Sequence, residues 1–206
     1  MKILFAGLIF LFAGCAAIEA PKQYEPREGD LVFQALPLEV DLVRAIEGIT
    51  RSHYSHVGVL HRRKGEWTVI EATGAGVVYT PFEKWKSIGR DERWAAYRVK
   101  AKHREHVGEF LTQLHPRAGK PYDFSYELSE DKLYCSELVY HAWAKATGQK
   151  MGTLTELGNL NWRPFSATIE KYNGGPMPPD RQLISPVELS KAPQLERVYN
   201  HGLDHD

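Results

Sequence analysis

Beyond residue 15 this 206-residue chain carries a single cysteine, Cys135, and it stands where a helix begins. Apolar residues follow at Leu138, Val139, Ala142, Trp143 and Ala146, the spacing of one helical face, and Gly148 closes the run. A thiol in that position meets the positive end of the helix dipole and unpaired backbone N–H groups, both of which favour thiolate over thiol. The same N–H groups can receive the oxyanion of an acyl-transfer intermediate. Glu137, in the first turn, suits the dipole but opposes a thiolate if it points inward, so it is expected to point outward. Position alone also fits a small buried hydrophobe, which is what most lone cysteines are. The presence of a base decides between the two.

The rest of the chain supplies strands. Residues 29–34 read as a turn leading into a strand, and residues 41–49 as a helix with Leu42, Val43, Ile46 and Ile49 on one side. Residues 56–60 and 67–72 read as two strands joined at 62–65, residues 77–79 and 94–99 as two more. Helices are expected from Pro81 and over 104–114, where Val107, Phe110, Leu111 and Leu114 share a face. Residues 159–179 are rich in glycine and proline and read as loop, and residues 195–199 as a last strand. Strands early and helices late indicate an α+β domain with an antiparallel sheet.

The first residues look like a targeting device. Lys2 precedes an apolar run over 3–13 that is too short for a stable bilayer span, and the run ends in Ala13-Gly14-Cys15. This resembles the lipobox of bacterial lipoproteins, with Phe12 in place of the usual leucine; cleavage near Ala17 or Ala20 is the competing reading. The expected organisation is a signal peptide over 1–14, a tether over 15–28, a domain over 29–200 and a tail over 201–206. Cys15 is the expected lipidation site, and the protein is expected to be exported to the bacterial cell envelope, facing the periplasm. Charge is balanced at 26 basic and 26 acidic residues with no polybasic stretch, so no nucleic-acid partner is expected. With Cys15 lipidated or removed, Cys135 has no disulfide partner in an oxidising compartment, where a lone thiol is either buried or functional.

Nine histidines are candidate bases. His141 lies about 240° round the helix from Cys135 and cannot reach it. His61 falls on the opposite strand face from His56. His103, His106 and His115 belong to a surface helix, and His201 and His205 to a polar tail. His56 has a partner: if residues 62–65 form a four-residue hairpin loop, His56 lies directly opposite Glu71, about 5 Å away at Cβ. A carboxylate there accepts the second imidazole N–H and favours the imidazolium. Spacing alone fits an ordinary cross-strand contact equally well.

Taken together, Ser55-His56-Val57-Gly58-Val59, Glu71-Ala72, Tyr122-Asp123 and Tyr134-Cys135-Ser136-Glu137-Leu138-Val139 resemble the motif series of the YiiX-like hydrolases, a circularly permuted branch of the papain-like, NlpC-type cysteine hydrolases. The histidine precedes the cysteine, as permutation requires. Residues 29–33 and 184–186 resemble the opening and closing segments of that family. The resemblance implies a permuted papain-like fold, a small antiparallel barrel-like sheet packed against a helix carrying the nucleophile. It also implies Cys135 as nucleophile, His56 as base and Glu71 as the third polar residue. Tyr134, Tyr122 and Asp123 match family positions, Asp123 as support for the loop before the cysteine. Tyr54 is a further candidate, lining the cleft from an exposed loop.

The expected activity is an exported cysteine hydrolase cleaving an amide bond in cell-envelope peptides through a thioester. The alternatives are a lipid-directed thiol acyl hydrolase or acyltransferase and a non-catalytic envelope-binding module. No cofactor and no metal are expected, because the histidine pairs on the surface helix and in the tail lack a fixed three- or four-ligand geometry. The partner is an envelope peptide or an acylated lipid, the membrane is met through Cys15, and the domain is expected to be a monomer.

Overall fold

A computed structural model describes residues 23–203. The expected signal peptide and the lipidation site at Cys15 lie outside the described residues. Eight strands and six α-helices follow the chain: β1 (Leu31–Gln34), α1 (Asp41–Thr50), β2 (His56–Arg63), β3 (Glu66–Thr73), β4 (Gly76–Pro81), α2 (Phe82–Ile88), β5 (Trp94–Val99), α3 (Val107–Leu114), α4 (Cys135–Thr147), β6 (Thr155–Glu156), α5 (Ser166–Asn173), β7 (Gln182–Leu183), α6 (Pro186–Ser190) and β8 (Leu195–His201). Six strands form one antiparallel sheet in the order β4-β3-β2-β1-β5-β8, and β6 pairs with β7 apart from it. The α+β class, and a helix that begins at Cys135 packed on a sheet, are as the sequence indicates.

Strand alternation divides the core into two. Leu31, Phe33, Val57, Val59, Ile70 and Ala72 point to the side covered by α3 and α4, where Phe110, Leu114, Leu138, Val139, Ala142 and Trp143 meet them. Val32, Leu60, Val69, Trp94 and Ala96 point to the other side, where Phe82 and Trp85 of α2 cover them. Burial on both faces explains why β2 and β3 read as nearly continuous apolar runs.

The β2–β3 hairpin turns at two residues rather than four. Lys64 and Gly65 both take positive φ (53° and 86°), as a tight I′ turn requires, and Arg63 pairs with Glu66. The register therefore places Gly58, not His56, opposite Glu71. The shift is two residues, so every side chain keeps its face, and His56 lies diagonal to Glu71. Gly58 leaves the space that the diagonal needs: a Cβ there would stand 2.3 Å from Val69 Cγ1 and 3.1 Å from Glu71 Cβ.

The ends of the domain are more firmly attached than their composition suggests. In the expected tether, Tyr24 donates to Asp30 Oδ2 at 2.6 Å and packs its ring on Phe82, Trp94 and Tyr199. In the expected tail, His201 pairs with Trp94, and Leu203 is buried with its carbonyl accepting from Tyr54 Oη at 3.2 Å. Residues 159–179 contain a helix, α5, which packs against α1 and pins Asp41 with Lys171 at 3.0 Å. Among the described residues no helix is long and apolar enough to cross a membrane.

Candidate active site

Cys135 is the first residue of α4, and the segment before it is clamped from both directions. Leu133 N–H donates to the Pro121 carbonyl at 3.0 Å. Tyr134 Oη accepts from Ile184 N–H at 3.1 Å, while Ser136 Oγ donates to the Ile184 carbonyl at 2.7 Å. The residues flanking the cysteine thus grip one backbone unit of the closing segment, which fixes how the sulfur is presented.

Glu137 does not point outward. It is fully buried and turns back to accept Tyr134 N–H (3.3 Å) and Ser129 N–H (2.8 Å), with His141 Nε2 at 3.1 Å. The reason is local: a glutamate three residues into a helix is placed to cap the residue that precedes it. Burial pushes its carboxyl pKa up, and the contacts with His141, Ser129 and Tyr134 partly offset this.

His56 is the first residue of β2, so its ring stands at one end of the sheet. Its Nε2 lies 2.5 Å from Glu71 Oε2, and Cys135 stands close enough to the imidazole to act on its charge. Glu71 is held by more than the histidine. Trp85 Nε1 donates to Oε2 at 3.0 Å, and Thr80 Oγ1 donates to Oε1 at 2.5 Å. All three acceptor contacts are buried, so the carboxylate is fixed in position and in charge state.

The electrostatics follow from this packing. Burial acts to lower the His56 pKa, but the contacts with Cys135 and Glu71 outweigh it and push the imidazole up to about 10. Burial acts to raise the Glu71 pKa, and His56, Thr80 and Trp85 overcome it, so the carboxyl titrates below its ordinary range. An imidazolium held between a carboxylate and a sulfur is the state that results at neutral pH.

Two cavities meet at this point. A cleft of about 610 Å³ is lined by His56, Glu71, Gln34, Ser55, Tyr122 and Phe124. A smaller cavity of about 80 Å³ reaches Cys135 from the other side, between α1, α4 and α5, and its walls are almost wholly apolar. Leu42, Ile46, Phe124 and Tyr172 belong to both.

The remaining sequence candidates fall in different places. Tyr122 faces the cleft and lies 3.3 Å from Tyr126 Oη, and burial pushes its hydroxyl well above the ordinary range. Asp123 accepts Ser125 N–H (2.9 Å) and Glu127 N–H (2.6 Å), organising the loop after it. Tyr134 reaches Ile184 as above. Tyr54 is neither exposed nor in the cleft: it is fully buried, 2.9 Å from Tyr97 Oη, and packs on Phe33. Its ring faces the core because it sits just before β2, where the chain has already joined the sheet layer. Thr80 and Trp85 escaped the sequence reading, and Ile184 entered it only as part of the closing segment, without a role at the site. Thr80 was accessible in principle, since it lies diagonal to Glu71 across the β3–β4 hairpin, where Val78 is the direct partner; Trp85 and Ile184 reach the site only through tertiary packing.

Comparison with known proteins gives the same reading from a different direction. The model of the permuted papain-like amidase family, YaeF/YiiX, C92, matches residues 25–199. The chain belongs to this family. It is therefore, by kind, a permuted papain-like cysteine hydrolase. The C92 chain is 33% identical over 178 residues to the uncharacterized protein YiiX of Escherichia coli strain K12, covering 85% of this chain and 87% of that protein. A crystal structure described as metalloprotein yiiX from Escherichia coli O157:H7 superposes with a TM-score of 0.79 at 31% identity, over 86% of this chain and 99% of the other. Among the described residues of the C92 chain, no group of three or more His, Cys, Asp or Glu side chains is placed to hold a metal ion.

Proposed function

We propose that the chain is an exported cysteine amidase of the cell envelope, with Cys135 as nucleophile, His56 as acid and base, and Glu71 as the group that orients and charges His56. The single observation that carries this is the buried His56–Glu71 pair at 2.5 Å, whose imidazole is acted on by Cys135 at the start of α4. In the resting pair the proton sits on His56. The Cys135 sulfur attacks the substrate carbonyl carbon, backbone N–H groups at the start of α4 hold the oxyanion, and His56 gives its proton to the leaving nitrogen. The amine departs and a thioester remains. Water, deprotonated by the now neutral His56, cleaves the thioester and restores the thiolate and imidazolium. Glu71 keeps Nδ1 aimed at the sulfur by holding Nε2–H, a positioning role.

A second reading of the substrate is supported by the cavity that reaches Cys135. Its apolar walls, among them Leu42, Ile46, Ile49, Leu157 and Ile169, suit the hydrocarbon of an acyl group better than a polar wall peptide. The same sulfur and imidazole serve an acyl amide or ester equally. Purified protein incubated with muropeptides and with N-acylated lipids, with products identified by mass spectrometry, separates the two. Cys135→Ala is expected to abolish every product; retention of full turnover on any substrate would remove the cysteine mechanism.

A further inference from the structure

Four large hydrophobic side chains are substantially exposed among the described residues: Leu38 (38%), Val40 (47%), Ile88 (42%) and Phe124 (37%). Singly exposed apolar residues are ordinary, but these four are not scattered. Val40, Ile88 and Phe124 all line the cleft that holds His56 and Glu71, and Leu38 is two residues from Val40 on the same loop. They come from three separated parts of the chain: the loop before α1, the end of α2 and the loop before α4. Behind them the cleft shares Leu42, Ile46, Phe124 and Tyr172 with the apolar cavity that ends at Cys135. The apolar surface thus runs from solvent to the sulfur.

We propose that Leu38, Val40, Ile88 and Phe124 form a docking rim that inserts into the surface of a phospholipid bilayer and seats the mouth of the cleft on it. The proposal rests on the acyl-lipid reading of the substrate given above. Where the described chain begins argues for a bilayer rather than an apolar protein. Tyr24 packs on Phe82 at the start of α2, in the same layer that ends at Ile88. The eight peptide links from Cys15 to Gln23 span at most roughly 30 Å, so an anchor at Cys15 keeps this layer beside the membrane. Glu39 is negative, and Asp41 beside it is paired with Lys171 and Arg44, so this part of the rim carries no net positive charge and the attraction is apolar and does not depend on anionic lipid.

Tryptophan quenching by brominated lipid tests this with the full chain. Val40→Trp, Ile88→Trp and Lys64→Trp are each placed in a Cys135→Ala background and bound to vesicles of phosphatidylcholine carrying brominated acyl chains, with the emission of the five native tryptophans subtracted. Lys64 lies at the hairpin tip, at the far end of β2 from His56. The expected result is quenching of the tryptophans at 40 and 88 by twofold or more, none at 64, and no dependence on added phosphatidylglycerol. Equal quenching at all three positions, or none at 40 and 88 on vesicle-bound protein, overturns the proposal, as does quenching seen only with phosphatidylglycerol. Because the sulfur is absent throughout, failure of the rim is read independently of failure of the acyl-lipid reading, which is decided by Cys135-dependent products.

Discussion

Replacing Glu71 by glutamine tests the electrostatic core of the site with the least change in shape. The two contacts of His56 raise its pKa from 6.5 to about 10 against the opposing effect of burial. At 1.36 kcal/mol per pKa unit this is roughly 5 kcal/mol in favour of the imidazolium. If Cys135 and Glu71 contribute evenly, loss of the Glu71 charge removes at least roughly 2 kcal/mol, because the burial penalty stays, and the titration midpoint falls by at least about 1.5 to 2 pH units. The ring nitrogens of ¹⁵N-histidine-labelled protein report that midpoint directly by NMR and need no substrate, and the remaining resonances verify the fold. A wild-type midpoint at or below 6.5, or the same midpoint in both proteins, refutes the reasoning. The same shift has a stability counterpart. The folded pKa of His56 lies above its ordinary value, so its contribution is complete below about pH 6.5 and is lost as pH rises through about 10. The folded pKa of Glu71 lies below its ordinary value, so its contribution is present above pH 4.5 and is lost as pH falls through the lowered value. Urea unfolding is therefore expected to show an alkaline loss of stability that is smaller in Glu71→Gln.

Three further outcomes are expected. Gly58→Ala places a Cβ 2.3 Å from a methyl of the buried Val69 and should cost about 1–3 kcal/mol in urea unfolding, with a displaced His56 titration as the sign that Glu71 has moved. Trp85→Phe removes one donor from the Glu71 carboxylate and should cost about 1.5–3 kcal/mol while lowering turnover more than it raises KM, measured on whichever substrate is identified. Glu137→Ala leaves the Tyr134 and Ser129 N–H groups without their acceptor and should cost about 1–3 kcal/mol, seen as faster hydrogen exchange in the first turn of α4.

The pattern of apolar residues made most elements legible: short apolar runs bounded by turn residues mark the strands, and the 3.6-residue spacing marks α1, α3 and α4 within a residue or a few. The meeting of His56 and Glu71 was legible for a reason that survives a wrong hairpin length. A two-residue slip keeps both side chains on one face, and Gly58 leaves the diagonal open between them. What could not be read was set by tertiary contact. Glu137 obeys its capping bonds rather than its repulsion from a sulfur. Tyr54 and Leu203 fill each other's space in the core although one sits in a polar loop and the other in a polar tail. α5 hides in a glycine- and proline-rich stretch because its contacts with α1, not its own periodicity, hold it in place.

Order along the chain has a consequence for biogenesis. The imidazole and its carboxylate belong to an early hairpin, the sulfur arrives much later, and the backbone of Ile184 that grips both neighbours of the sulfur is made later still. A polypeptide interrupted between Cys135 and Ile184 carries the sulfur, the imidazole and the carboxylate without the clasp that aims them, and one interrupted earlier lacks the sulfur. Unfinished or truncated molecules are therefore expected to be chemically silent.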